Sequence, residues 1–226
     1  MSSASRAPAR PRHVRAVLAA LADAYPAAAT ALVFSTPWQL LVATVLSAQC
    51  TDARVNLITA RLFPECPDAA AMAQLSVEAI EARIFDCGLY HAKARHLAAT
   101  SRVVMEKWGA ELPATIRREE LEALPGVGRK TASVVLANAY GVPALAVDTH
   151  VFRVAHRLGW SAAKDADHTA DDLCRLIPRR QWAPAHHWLI GHGRQVCHAR
   201  RPACGQCVLS AWCPRLGVEG AARAAP

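Results

Sequence analysis

No apolar run in this chain reaches the roughly 18–20 residues that a membrane-spanning helix needs. The longest candidate, Leu40 to Ala48, is too short and includes Thr44 and Ser47. That excludes a protein built on membrane-spanning helices. The start, Met-Ser-Ser-Ala-Ser-Arg, has no apolar stretch of the kind a secretory signal carries, so a cytoplasmic, reducing setting is expected. Acidic residues are short: Asp+Glu 18 against Lys+Arg 26 leaves +8, the charge of a protein with a polyanionic partner or simply of a basic one. Lysine is scarcer still, with Lys93, Lys107, Lys130 and Lys164 the only four among those 26 cations. Arginine grips phosphate but is a poor nucleophile, so a lysine inside a motif stands out. Sustained alternation of apolar and polar residues is also missing, which removes the usual signal for strands.

What is present is helical. Hydrophobic residues at 53% and charged residues at 19% exclude global disorder. Apolar residues recur at three and four, punctuated by Gly and Pro, and predict an all-α fold of about ten short helices. Val14, Val17, Leu18 and Leu21 form one stripe over 13–24. Thr36-Pro37-Trp38-Gln39 reads as a capping box opening a helix through Ser47. Asp52 is expected to cap the next helix and Ser76 the one after, with Gly88 as its left-handed terminator. A long helix is expected over 91–108, then helices at 119–124, 130–140, 148–158, 169–177 and 185–190. Residues 1–12 and 215–226 read as disordered tails.

Three features carry chemistry. The first is Leu124-Pro125-Gly126-Val127-Gly128-Arg129-Lys130-Thr131-Ala132. Two glycines around one apolar residue allow a tight turn with positive φ, and the next helix offers unpaired amides to a phosphate oxygen. By spacing alone this is equally an ordinary helix–helix corner. Lys130 falls in the first turn of that helix, where the dipole and partial burial would favour its neutral amine. A neutral amine can attack an electrophilic sugar carbon.

The second feature is Asp148, placed to cap an amphipathic helix carrying Val151, Val154 and Leu158. The third is Cys197-x6-Cys204-x2-Cys207-x5-Cys213, distinct from the scattered Cys50, Cys66, Cys87 and Cys174. The four clustered thiols could hold tetrahedral zinc or an iron–sulfur cluster by spacing alone.

Together, residues 124–132 and Val147-Asp148-Thr149-His150-Val151-Phe152-Arg153-Val154 resemble the helix-hairpin-helix DNA glycosylases, in particular the endonuclease III branch. The likeness extends through Leu46-Ser47-Ala48-Gln49 with Thr51-Asp52, Gly88-Leu89-Tyr90, His186-His187-Trp188-Leu189-Ile190 and the four cysteines. It covers about 30 to 214 in the expected order.

The resemblance implies two helical domains with a groove between them: a six-helix barrel-like domain with the helix-hairpin-helix at 30–142, and an iron–sulfur cluster domain built from 13–29 plus 143–214. It implies a base-excision-repair glycosylase with AP lyase activity that removes oxidised pyrimidines. Lys130 would form a Schiff base, Asp148 would assist it, and β-elimination would cut the strand 3′ to the abasic site. Cys197, Cys204, Cys207 and Cys213 would hold a [4Fe–4S] cluster. Gln49, Leu89, Pro125, Gly126, Val127, Gly128, His150, Arg153, Arg200 and Arg201 would contact DNA. The expected partner is double-stranded DNA with damaged bases or abasic sites, met by a monomer in the cytoplasm at the nucleoid.

The sequence departs from the family's usual pattern at Cys50, His91, Ala92, Gly191 and Gln195, which leaves lesion and opposite-base preference open. Two alternatives are weaker fits. An adenine-mismatch glycosylase is disfavoured by Lys130 and by the short stretch after Cys213. A non-catalytic damaged-DNA binding module would use the hairpin and cluster for grip alone.

Overall fold

The computed structural model describes residues 11–218, and every regular element among them is a helix. The residues outside that range include most of both expected tails. The remainder of those tails is ordered. Residues 11 and 12 open the first helix, and the chain after Cys213 is tied back by a bond from Leu216 N to Arg157 O at 3.3 Å.

The chain divides into two compact units, one spanning Thr30–Val142 and one joining the described residues up to Ala29 with those from Pro143 onward. The discontinuous unit contains α1 (Pro11–Ala24). The continuous unit contains α2 (Pro37–Leu46), α3 (Asp52–Glu65), α4 (Ala69–Ala73), α5 (Val77–Ile84), α6 (Tyr90–Trp108), α7 (Arg118–Glu122) and α8 (Arg129–Ala139). The chain then returns to the first unit with α9 (Thr149–Arg157), α10 (Ala166–Leu176) and α11 (Trp182–Gln195).

The continuous unit is organised around α2. Trp38 and every residue from Leu40 to Leu46 are buried, the pattern of a helix surrounded by others rather than lying on a surface. Helices α3, α6 and α8 pack on it. Thr36 caps α2 by accepting from Gln39 N at 3.2 Å, but Gln39 Oε1 reaches back to Ser35 N at 2.8 Å, one residue short of a reciprocal box.

Two expected caps shift. Thr51, not Asp52, caps α3 by accepting from Arg54 N at 3.3 Å. The left-handed residue before α6 is Leu89 at φ 61, not Gly88. Gly88 serves a different need, since a Cβ there would stand 3.3 Å from Gln49 O.

In the discontinuous unit the stripe Val14, Val17, Leu18 and Leu21 packs against Val151, Val154 and Leu158 of the α9 segment and Leu173, Leu189 and Leu209. Fully burying each such side chain is worth about 1.5–3 kcal/mol. The helix expected at 169–177 starts earlier because Asp165 caps it, accepting from His168 N at 2.9 Å. The one expected at 185–190 runs through Trp182–Gln195.

Candidate active site and metal centre

The turn between α7 and α8 is built by one residue with positive φ. Gly126 has φ 75, and a Cβ there would stand 2.6 Å from the His96 ring. Gly128, the N-cap of α8, has φ −95 and open space around it. The first glycine therefore meets a backbone and packing requirement. The second leaves room for close approach from outside. Val127 anchors the turn in the core, while Pro125 O accepts from Thr100 Oγ1 at 2.7 Å. Lys130 stands in the first turn of α8, as expected, but it is exposed. The partial burial expected of it is therefore not found.

Asp148 is half-buried and caps α9, accepting from His150 N at 2.9 Å and Val151 N at 2.8 Å through one oxygen, Oδ1. Two amide bonds to Oδ1 fix the direction of the carboxylate. Lys130 belongs to the continuous unit and Asp148 to the other.

Gln49 and Leu89 are both exposed and both left-handed, at φ 53 and φ 61. Neither is glycine, so each conformation costs about 1–2 kcal/mol. The structure brings their two turns together through the contact at Gly88.

Arg153, expected among the DNA contacts, is engaged inside its own unit. Nε donates to Cys197 O at 2.9 Å, Nη2 donates to Gly193 O at 2.8 Å, and Nη2 lies 3.1 Å from His150 Nδ1. His150 is thus a packed partner of Arg153. A side chain on Gly193 would collide with it, its Cβ standing 2.9 Å from that of His150. Arg200 and Arg201 lie exposed at the tip of a loop closed by Ala203 N donating to Val196 O at 3.0 Å.

The four cysteines line one pocket of about 410 Å³, counting its open mouth, with Val154, Leu158 and Leu209 among its apolar walls. Among the described residues no three His, Cys, Asp or Glu side chains converge closely enough to hold a single metal ion. All four cysteines nonetheless line this one pocket.

Burial pushes the Cys207 and Cys213 thiols up, and the neighbouring cysteines add to the rise. Crowded thiols of this kind ionise when a cationic group arrives to balance them. Donors already point at the sulfurs: Leu209 N donates to Cys207 Sγ at 3.4 Å and Arg157 Nη1 to Cys197 Sγ at 3.3 Å. The donor set fits an iron–sulfur cluster.

Comparison with known proteins decides the family. Residues 42–179 match the HhH-GPD superfamily base excision DNA repair proteins, and residues 197–213 match the iron–sulfur binding domain of endonuclease III. Endonuclease III of Escherichia coli (strain K12) is 44% identical over 197 residues, covering 87% of this chain and 92% of the relative. That of Synechocystis sp. is 47% identical over 199 residues, covering 88% and 90%.

The chain belongs to the endonuclease III family. It is a base-excision DNA glycosylase and AP lyase carrying a [4Fe–4S] cluster. A solved structure of a trapped endonuclease III–DNA covalent intermediate, the estranged-adenine complex, is 41% identical. It aligns at TM-score 0.86 over 91% of this chain and 96% of that one. A thermostable thymine-DNA glycosylase, 22% identical with TM-score 0.79, shares the fold. The match of residues 197–213 to the iron–sulfur binding domain decides between the two metal readings that spacing left open.

Sequence reasoning missed two members of the metal centre. Arg157, one turn beyond Arg153, donates to Cys197 Sγ and also to His198 O at 2.6 Å and Ala199 O at 2.9 Å. Its position on the buried stripe of α9 hid it among expected core residues. His192 faces Cys207 Sγ at 3.5 Å and pairs with Tyr25 Oη at 3.0 Å through Nδ1. Burial pushes its pKa down to about 4, so the imidazole is neutral. Gly191, one of the family departures, sets its would-be Cβ 3.3 Å from the Tyr25 ring. The tyrosine occupies the room a larger residue would need.

Proposed function

We propose that the protein excises oxidised pyrimidines from double-stranded DNA with Lys130 as nucleophile. The observation that carries this is an exposed lysine in the first turn of α8, immediately after the Gly126–Gly128 turn.

The damaged nucleotide leaves the stack before chemistry begins. The neutral Lys130 amine attacks C1′, the bond to the base breaks, and the base departs with a proton. The C1′–O4′ bond then opens to give an imine between lysine and sugar. Loss of a C2′ proton from the imine expels the 3′ phosphate, which cuts the strand on that side. The Asp148 carboxylate, held by its two amide bonds, stabilises the cationic charge that develops on the sugar and takes protons from the lysine.

Gln49 and Leu89 enter the duplex beside the extruded nucleotide. Pro125 to Gly128 offer a phosphate the backbone amides at the start of α8. Arg200 and Arg201 add phosphate contacts. Cys197, Cys204, Cys207 and Cys213 hold the [4Fe–4S] cluster, which when bound cross-links the loop that presents those arginines. The protein works as a monomer on chromosomal DNA.

Borohydride reduction of the imine tests the reading. The wild type is expected to give a covalent adduct with abasic duplex DNA and Lys130→Ala to give none. An adduct of equal yield from Lys130→Ala overturns the lysine mechanism.

A further inference from the structure

The Lys93 ammonium is buried in the continuous unit, and its bonds are specific. Nζ donates to Leu46 O at 2.8 Å, to Ala48 O at 2.5 Å and to Cys87 Sγ at 3.1 Å. Three N–H donors meet three acceptors, the full capacity of an ammonium. One acceptor, Leu46 O, is at the end of α2, where a helix leaves its last C=O groups without partners and favours positive charge, and Ala48 O lies in the turn that follows. The third lies on Cys87, whose own thiol donates to Leu46 O at 3.2 Å.

These bonds join the two strained turns. Leu46 and Ala48 lead into Gln49, and Cys87 leads into Leu89. Lys93 also completes the first turn of α6, where its backbone N donates to Leu89 O at 3.1 Å. The residues on the same face of α6 continue the pattern at helical spacing. His96 lies under Gly126, and Thr100 holds Pro125 O. One helix face, at positions 93, 96 and 100, thereby touches the Gln49 turn, the Leu89 turn and the hairpin.

We propose that Lys93 is a positioning residue for base extrusion: its buried ammonium locks the Gln49 and Leu89 turns into one wedge, in register with the hairpin. The proposal rests on the reading above that Gln49 and Leu89 enter the duplex. A neutral side chain of similar length fills the same space but withdraws the ammonium donors, leaving Leu46 O with the Cys87 thiol alone and Ala48 O without this donor. Each left-handed turn is then free to relax toward an ordinary conformation, and the two exposed side chains lose their fixed spacing. Chemistry at Lys130, in the first turn of α8, does not depend on that lock.

The test compares two duplex substrates under single-turnover conditions with saturating enzyme. One holds an oxidised pyrimidine and must be unstacked; the other holds an abasic site, which has no base to unstack. Lys93→Met is expected to slow base excision by about tenfold or more and β-elimination at the abasic site by less than about threefold. In a Gln49→Ala, Leu89→Ala background the same substitution is expected to add less than about a twofold effect, because the wedge is already gone. Lys93→Gln, which keeps two amide N–H donors but no charge, is expected to fall between wild type and Lys93→Met.

Equal slowing on both substrates, or full additivity with the wedge variants, overturns the proposal. Failure of both Lys93 variants to fold would assign the ammonium to the core and overturn it too. Absence of any borohydride adduct from the wild type on the abasic duplex sinks the Lys130 reading, a distinct result.

Discussion

Arg157 donates through Nη1 to the sulfur of Cys197 at 3.3 Å, and the same guanidinium holds the carbonyls of the two residues that follow. The backbone carbonyl of Arg157 in turn accepts from Cys213 Sγ at 3.4 Å. One buried residue on α9 therefore touches the first and the last cysteine of the metal loop. Charged donors to sulfur and carbonyl fix the direction of the groups they hold.

Arg157→Met should preserve packing volume and remove these donors. The expected cost is about 2 kcal/mol, since hydrogen bonds from charged groups are worth about 1.5–3 kcal/mol. Iron content and the rate of iron loss to a chelator report it. A release rate equal to that of the wild type would show that Arg157 does not support the centre.

Asp148 combines a structural and a chemical role that two substitutions separate. Asp148→Asn keeps an oxygen for the amides of His150 and Val151 and should melt near the wild-type temperature. Asp148→Ala loses the cap and about 1 kcal/mol. Both should lower the yield of the borohydride adduct. Wild-type yield from Asp148→Asn would remove the carboxylate from the mechanism.

The two hairpin glycines should respond differently to alanine. Gly126→Ala meets the His96 ring at 2.6 Å and a positive φ, so thermal stability should fall by more than about 1 kcal/mol. Gly128→Ala has open space and should leave stability unchanged while weakening duplex binding, because the new methyl group stands where a phosphate approaches. Equal duplex affinity of Gly128→Ala and wild type would mean that the turn does not approach DNA.

Arg200 and Arg201 are read by salt dependence. Changing both to Ala should reduce affinity for any duplex sequence. The slope of log K against log salt should flatten by about 0.9 per lost phosphate contact. An unchanged slope would make the loop tip a solvated charge pair.

Alkaline pH should weaken the continuous unit through Tyr140. Burial, with Glu111 adding to it, pushes this phenol from 10.0 up to about 12. The unfolded chain loses the proton near 10, so the stabilisation is complete below that pH and is lost as pH rises toward about 12. Denaturation measured across this range should show a fall that Tyr140→Phe reduces. The same fall in the variant would place its origin elsewhere.

Local signals in the sequence were sufficient where a residue's role depends on its neighbours in the chain. The helix N-caps at Thr36, Ser76 and Asp148, the Gly-x-Gly turn with Lys130 behind it and the spacing of four cysteines are all of this kind. Capping and dipole effects act within one helical turn, so a few consecutive residues contain them. The caps at Asp52 and Gly88 were misplaced by a single residue for a related reason. Thr51 competes with Asp52 for the same amide, and the backbone of Gln49, distant in sequence, claims the space beside Gly88.

The long-range bonds were not legible. Lys93 reads as one more cation on a polar helix until folding carries the end of α2 against it. The bonds of Arg153 to the carbonyls of Gly193 and Cys197, 40 and 44 residues away, have no local signal either. Sequence patterning thus determined an all-α chain with an amine, a carboxylate and a four-thiol loop, because periodicity and spacing are properties of neighbours. Tertiary structure alone decided which cations are buried and which stay exposed, because a buried charge persists only where distant backbone acceptors converge on it.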